Sequence, residues 1–350
     1  MKGFKDLFTA LAAVFLGLAA GAILMLAIGS NPLEGFAYLF RGGLMNVERI
    51  GNTLATATTL TLTGLAMAFA FRTGLFSIGA SGQMLVGGLA ATALGLGLHL
   101  PKAAMLPLML LAATAAGAAW GFVPGYLKAR FNVHEVVSTI MLNWIAYWTV
   151  YYAVPAYFKA EYLETESARI PEYASLKVAW LTRLSQGSFL NLGIFVALAC
   201  AVLVAIVLNR TTLGFELKAV GFNRHAAEFA GIDVPRKMAL SLGISGALAG
   251  LAGATFYVGY AVNMQIGVLP SQGMDGVAVA LLGANSPLGV VLSALFFGIL
   301  HSGKGFMNAM TKIPPEIGDT IIAVIIYFAA TSVLFTRVWD AITARKRRKA

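Results

Sequence analysis

The chain is a succession of long apolar segments separated by shorter polar stretches. Segments of about 17–25 residues, long enough to cross a bilayer, lie near 7–29, 50–70, 76–98, 104–127, 133–156, 189–208, 237–261, 287–303 and 318–336. One more, near 270–284, is too short to cross alone. The pattern predicts an all-α polytopic membrane protein with about ten transmembrane segments, one of them short or broken, in a single domain over 1–350.

Composition agrees with this pattern. The chain is 59% hydrophobic and 11% charged, whereas soluble proteins are about 25% charged. Its 38 glycines suit close helix packing in lipid. Cys200 is the single cysteine, which excludes an intrachain disulfide, and no histidines have zinc-site spacing. We expect neither a metal nor a cofactor.

The positive charges indicate an orientation. With both termini in the cytoplasm, 16 of the 25 Lys and Arg residues fall inside, as the positive-inside rule requires. This arrangement places the loop 209–237 and the basic tail 337–350 inside and the polar stretch 157–188 outside. The net charge of +10 therefore reports orientation in a lipid bilayer rather than nucleic-acid binding. The N-terminal segment is expected to be a retained anchor.

The loop 209–237 is the longest charged run between two apolar segments on the predicted cytoplasmic face. Asn223 can cap a short helix from Arg224 to Ala230, with Gly231 just past its end. Pro235 is expected to stop the chain before the next apolar run. The loop is either a solvated basic stretch that only sets orientation, or a surface on which a short capped helix docks into a partner.

Two glycine-rich runs open segments five crossings apart. They are GLFSIGASGQMLVGG (74–88) and GVLPSQGMDGVAVALLG (267–283). An offset of five reverses the direction of the second copy, and inverted repeats with interrupted helices are typical of transporters. The alternative is two ordinary glycine-rich helix starts. Elsewhere, glycines at every fourth position predict packing ridges: Gly117, Gly121 and Gly125, then Gly246 and Gly250.

The segment 133–156 is unusually polar. Glu135, Ser138, Thr139 and Asn143 share one helical face, which is expected to line protein or water because bare polar groups are costly in hydrocarbon. The alternative is hydrogen bonding between helices. Trp144 can offer a flat surface to a ring-shaped solute or belong to an interfacial aromatic belt. The candidates for lining a translocation pathway are Gln83, Glu135, Asn143, Trp144 and Asp275.

No catalytic constellation is convincing. Ser81, in a GxSG run, could form a protease dyad with His301, but the predicted topology places them near opposite ends of their helices. GILHSGKG (298–305) resembles a phosphate loop but lacks the Ser or Thr that follows the Lys, and no strand precedes it. We therefore expect a protein that is not an enzyme and has no ATP site of its own.

Three runs carry a family resemblance: GLFSIGASGQM (74–84), VHEVVSTIMLNWIA (133–146) and LKAVGFNRHAAEFAGID (217–233). They resemble the integral-membrane permeases of ABC importers, in the nucleoside and simple-sugar branch of the branched-chain amino acid/ribose permease family. SLGISGALAGLAGA (241–254) is also similar, and the resemblance extends from about 50 to 335. Ser81 departs from the family, which typically has Glu before the Gly-Gln pair.

The resemblance implies a type II importer permease in the plasma membrane of a prokaryote. Its expected partners are cytoplasmic ATPase subunits, a second related permease, an extracytoplasmic solute-binding protein and a small-molecule solute, a nucleoside or related sugar. Carried onto this chain, the ATPase-coupling residues are Asn223, Arg224, His225, Glu228, Phe229 and Gly231. An ion-driven secondary carrier using Glu135 and Asp275 is the alternative, and an intramembrane serine protease the remote one.

Overall fold

The computed structural model describes residues 2–331, whose regular elements are all helices. The predicted basic tail 337–350 and the end of the segment 318–336 lie outside these residues. The helices are α1 (Lys2–Ala27), α2 (Pro32–Leu44), α3 (Val47–Arg72), α4 (Ala80–Gly97), α5 (Lys102–Phe131), α6 (Glu135–Tyr157), α7 (Ala179–Leu184), α8 (Gly193–Arg210), α9 (Thr212–Phe222), α10 (Arg224–Phe229), α11 (Val234–Ala254), α12 (Ser271–Leu282), α13 (Pro287–Thr311) and α14 (Glu316–Ala330). A 3-10 turn covers Glu172–Ala174, and a π-helical turn, Thr255–Tyr260, extends α11.

Six helices within the described residues are long and apolar enough to cross a membrane. They are Phe8–Ala27 of α1, then α3, α5, α8, α11 with its π turn, and α13, and they coincide with six of the predicted segments. The other four predicted segments correspond to α4, α6, α12 and α14, which do not meet this criterion as described. The all-helical membrane fold is confirmed, and ten crossings remain a prediction.

The centre of the molecule is formed by α3 and α11. Helix α3 is buried continuously from Ala57 to Ala70, and it packs against α11, α12 and α13. Helix α11 also contacts α4 and α5. A helix that is apolar on every side belongs inside a bundle, so these two helices position the others.

The predicted glycine ridges form the contact between α5 and α11. A Cβ atom on Gly121 would lie 2.9 Å from the Cα of Gly246, and one on Gly246 would lie 2.9 Å from the Cα of Gly121. Gly117 and Gly250 face each other one turn further on. The prediction of packing ridges is confirmed, because the two backbones touch where only a hydrogen atom fits between them.

Two local predictions were wrong. Residues 30–49 were assigned no element, but they contain α2, which is capped by the Asn31 side chain accepting from Leu33 N at 3.0 Å. Its 13 residues are too few to span a bilayer, and an analysis based on spanning length overlooks such a helix. Pro235 does not stop the chain, because it lies in the first turn of α11, where its missing N–H breaks no helical hydrogen bond.

Candidate functional site

The two glycine-rich runs meet inside the protein. Residues 73–79 run without helical structure into α4, and 261–270 do so before α12. The Ser81 hydroxyl donates to Pro270 O at 2.9 Å, and a Cβ on Gly273 would lie 2.6 Å from the Cα of Ser81. The first turns of two interrupted helices therefore touch each other. The inverted repeat of the two runs stays a prediction.

The polar face of α6 holds the start of α4 in place. Asn143 donates through Nδ2 to Ile78 O at 2.9 Å and accepts through Oδ1 from Gly82 N at 2.9 Å. The Thr139 hydroxyl donates to Glu135 O at 2.8 Å. Of the two interpretations of this face, hydrogen bonding between and within helices is the one observed for these groups.

The remaining predicted pathway residues on α6 and α4 have separate environments. Glu135 is buried at the start of α6 and pairs with Lys128 of α5 at 3.0 Å. Trp144 is 49% exposed and packs edge-to-face on Tyr147. Gln83 is 1% exposed, and its Oε1 has no hydrogen-bond partner within the described residues. None of the predicted pathway residues Gln83, Glu135, Asn143 and Trp144 lines the cavity described next.

We expect Asn143→Ala to destabilise the protein rather than to alter solute selection directly. The change removes the acceptor of the Gly82 N–H and the donor to Ile78 O. Leaving these two backbone groups without partners costs about 2–4 kcal/mol in total. Thermal unfolding of the detergent-solubilised protein measures this loss. The matched control is Thr149→Val, because the Thr149 hydroxyl bonds only to Ile145 O of its own helix. Unchanged thermal stability with lost uptake would instead assign Asn143 to the pathway.

A cavity of about 220 Å³ lies between α3, the π turn, the start of α12 and α13. Its lining is polar and aromatic: Thr56, Thr59, Phe256, Tyr260, Ser271, Gln272, His301, Ser302 and Lys304. Phe256 and Tyr260 are stacked, with ring centroids 5.6 Å apart. Sequence reasoning missed this cavity, because its lining residues come from four elements far apart in the chain.

Asp275 lies beside this cavity and pairs with His301. The distance from His301 Nε2 to Asp275 Oδ2 is 3.3 Å, and both side chains are largely buried. Ser81 bonds to Pro270 O and His301 faces Asp275, and no hydrogen bond joins Ser81 to His301 among the described residues. Both residues lie against the first turns of α12, whereas the predicted topology placed them near opposite ends of their helices.

The loop 209–237 contains two helices, and α10 is capped at both ends. The Asn223 side chain accepts from Ala226 N at 3.1 Å. Gly231 has φ +81°, and Ile232 N donates to Ala227 O at 3.0 Å, which is the pattern of a glycine-terminated helix. The predicted capping is confirmed, and the helix ends at Phe229, one residue earlier than predicted.

Two exposed aromatic side chains flank the α10 region, one at the end of α9 and one at the end of α10. Phe229 is 94% exposed and Phe222, just before the cap, is 96% exposed. Ala227 on the opposite face is buried in a cluster with Ala70, Val220 and Met238. The predicted residues His225 and Glu228 are exposed, and Arg224 is half-buried. The sequence analysis missed Phe222, which precedes the predicted helix.

The loop is fixed to the ends of the central helices. A Cβ on Gly221 would lie 2.9 Å from the carbonyl carbon of Thr73, so the end of α9 touches the end of α3. The Thr73 and Ser241 hydroxyls are 2.7 Å apart, and Lys237 pairs with Glu216. The end of α9 and the start of α11 are therefore packed against the helix bundle.

A basic hollow lies at the other end of α11. The 21 residues of α11 span about 30 Å, and the stretch 157–188 packs beyond its far end through Ile170 N to Val262 O at 2.9 Å. This hollow, of about 660 Å³, is lined by Arg169, Lys177 and Arg183, with Glu172 beside them. Burial, and then the charge of Arg169, lowers the pKa of Lys177. The hollow suits acidic side chains of a partner.

Comparison with known proteins gives a consistent family. The family model described as "Branched-chain amino acid transport system / permease component" matches residues 49–330. The guanosine ABC transporter permease protein NupP of Bacillus subtilis is 44% identical over 95% of both chains. The nucleoside ABC transporter permease protein NupB of Lactococcus lactis is 40% identical over 91% of this chain and 89% of its own.

A third relative is named for a different solute. The glucose ABC transporter permease protein TsgB13 of Haloferax volcanii is 31% identical over 93% of this chain and 87% of its own. No solved structure matches the chain. On the family match and these identities, the chain belongs to the family of branched-chain amino acid transport system permease components and is a multi-pass membrane protein.

Proposed function

We propose that this chain is the permease subunit of an ABC importer for nucleosides. The single observation that carries the coupling role is the short helix α10, capped at both ends, with Phe222 and Phe229 beside it almost fully exposed. Exposed aromatic residues beside charged ones are typical of an interaction surface. The relatives named for guanosine and nucleosides support the solute class.

The energy for transport comes from another polypeptide in this proposal. Residues 298–305, which resemble a phosphate loop in sequence, lie within α13. Their backbone amides are inside a helix rather than in a loop that can surround a phosphate. A cytoplasmic ATPase subunit docks on α10, with Asn223 and Gly231 ending the helix and Arg224, His225, Glu228 and Phe229 on its contact surface.

The remaining partners follow from the same arrangement. About ten crossings with both termini inside place the loop 209–237 in the cytoplasm and the basic hollow outside. The hollow receives an extracytoplasmic solute-binding protein through acidic side chains, since opposite charges steer such encounters. A second, related permease completes the passage, as the family resemblance implies.

Reconstitution tests the proposed function. The chain is co-expressed with its ATPase, second permease and binding protein, purified as a complex and placed in liposomes. We expect guanosine uptake that requires both ATP and the binding protein. Leucine, tested because of the family's name, and glucose are the comparison solutes. Uptake of leucine or glucose without guanosine uptake would contradict the nucleoside assignment.

An ion-driven carrier is the second candidate, because Asp275 and His301 form a largely buried ionisable pair within the bundle. It predicts guanosine uptake by the purified chain alone, driven by a proton or sodium gradient without ATP. The same liposomes test this by omitting the partner subunits and imposing the gradient.

A further inference from the structure

The cavity between α3, the π turn, α12 and α13 contains polar groups with no partner. Within the described residues, the side chains of Thr59, Tyr260, Gln272 and Ser302 make no hydrogen bond, although all line the cavity. Thr59 is only 2% exposed. Tyr260, Gln272 and Ser302 are half-buried. Polar groups away from bulk solvent are normally hydrogen-bonded, so these four groups are available to bond to a molecule in the cavity.

His301 is oriented toward the same space. Asp275 Oδ2 lies 3.3 Å from Nε2, although the two atoms do not have the geometry of a hydrogen bond. A carboxylate on that side favours hydrogen on Nε2, which leaves the other ring nitrogen as an acceptor. Nδ1 makes no hydrogen bond within the described residues. Asp275 thus serves as a positioning residue, and His301 presents an acceptor to a hydroxyl or N–H donor in the cavity.

The charges of the lining select an uncharged occupant. Lys304 is paired with Asp319 at 2.6 Å, and His301 faces Asp275. Among the described lining residues, no guanidinium or ammonium group remains unpaired to bind a phosphate or carboxylate. A nucleotide or an amino acid zwitterion would therefore leave a charge buried without a partner, which is costly.

The aromatic wall adds a preference for a ring. The stacked Phe256 and Tyr260 side chains bring apolar surface to a lining that is otherwise rich in hydroxyl and amide groups. Aromatic rings favour contact with other rings, while hydroxyl and amide groups suit a polyhydroxylated sugar. A nucleoside combines both chemistries in one uncharged molecule.

We propose that this cavity is a solute-contact site that binds a neutral nucleoside during its passage, with Thr59 and His301 as hydrogen-bonding residues for it and Asp275 holding His301. The proposal rests on the proposed function, and it assigns the contact to residues other than the polar face of α6.

Single substitutions test the site in the complete reconstituted transporter. Thr59→Val removes one hydroxyl at nearly constant volume, and we expect the rate of guanosine uptake at saturating loaded binding protein to fall about fivefold to tenfold. Thr59→Ser should restore most of it. His301→Leu should reduce uptake at least as much. Thr58→Val is the matched control, because the neighbouring Thr58 hydroxyl bonds to Leu54 O of its own helix and does not line the cavity.

Occupancy is tested directly with a thiol in the cavity. In a Cys200→Ala background, Ser302→Cys is treated with a small maleimide, and saturating guanosine should slow the modification severalfold. The 5′-monophosphate of guanosine should protect much less, because its charge has no partner in the lining. This readout does not depend on turnover, so a purely structural role of the cavity would not produce it.

The outcomes separate this inference from the proposed function. If the wild-type complex takes up guanosine while Thr59→Val and His301→Leu transport normally and guanosine gives no protection, the cavity site is wrong and the importer stands. If the wild-type complex takes up no nucleoside, the proposed function itself fails. If the His301→Leu variant does not assemble, the guanosine uptake rates of Thr59→Val, Thr59→Ser and Thr58→Val decide whether the cavity contacts the solute.

Discussion

Replacing Phe222 and Phe229 together by alanine is expected to reduce solute-stimulated ATP hydrolysis by the complete transporter at least tenfold. Both side chains are almost fully exposed, Phe222 at the end of α9 and Phe229 at the end of α10, so their removal is expected to leave the fold of the chain unchanged. Buried aromatic anchors at interfaces contribute about 2 kcal/mol or more each, and losing two of them weakens docking well beyond one factor of ten.

The measurement is ATP hydrolysis with and without loaded binding protein, together with the amount of ATPase that co-purifies with the permease. The matched control is Phe15→Ala, an exposed phenylalanine of α1 far along the chain from the loop. Normal co-purification and normal stimulation in the double variant would remove the coupling role from this helix. A similar loss of stimulated ATP hydrolysis in the Phe15→Ala variant would indicate a general effect of removing an exposed phenylalanine.

The second large effect is expected at the contact between α5 and α11. Gly246→Ala should destabilise the protein by about 1–3 kcal/mol or prevent its accumulation, because the added methyl group must overlap the Gly121 backbone. The gain in helix propensity from Gly to Ala, at most about 1 kcal/mol, does not offset that overlap. Thermal unfolding of the solubilised protein measures the difference.

The same helix supplies the control. A Cβ on Gly243 would lie 3.8 Å from its nearest neighbours, Ala118 O and a Phe122 ring carbon, which is ordinary contact. Gly243→Ala should therefore leave the unfolding temperature unchanged or raise it. Equal effects of the two substitutions would show that the backbones of α5 and α11 can separate at little cost.

Apolar length and charge were sufficient to predict the class of fold. The long apolar runs correspond to helices, and the glycines at every fourth position lie where helices touch. Helix α2 could not be found by spanning length, because it is too short to cross a bilayer. Its Asn31 cap followed by Pro32 is a local start signal, whereas the contact of Gly42 with Gly303 of α13 is visible only in the structure.

The candidate site was only partly predictable for a related reason. The caps of α10 are local features, and Asn223 and Gly231 indicated them correctly. Asn143 was recognised as a polar residue on a buried face, but only the structure shows that its partners are Ile78 and Gly82. Tertiary packing decides which polar residues line a cavity and which bond to backbone groups of another helix. Local sequence patterns do not distinguish the two.

Gly221, in the loop 209–237, lies directly against Thr73 and Gly74 in the chain that leads into α4. That chain reaches Ser81 within eight residues, and Ser81 is bonded to Pro270 at the rim of α12. A displacement of α10 by a docked partner is therefore expected to reach α12 through these direct contacts. The proposed nucleoside cavity lies beside α12, so docking on α10 and contact with the solute are expected to be coupled in the proposed transporter.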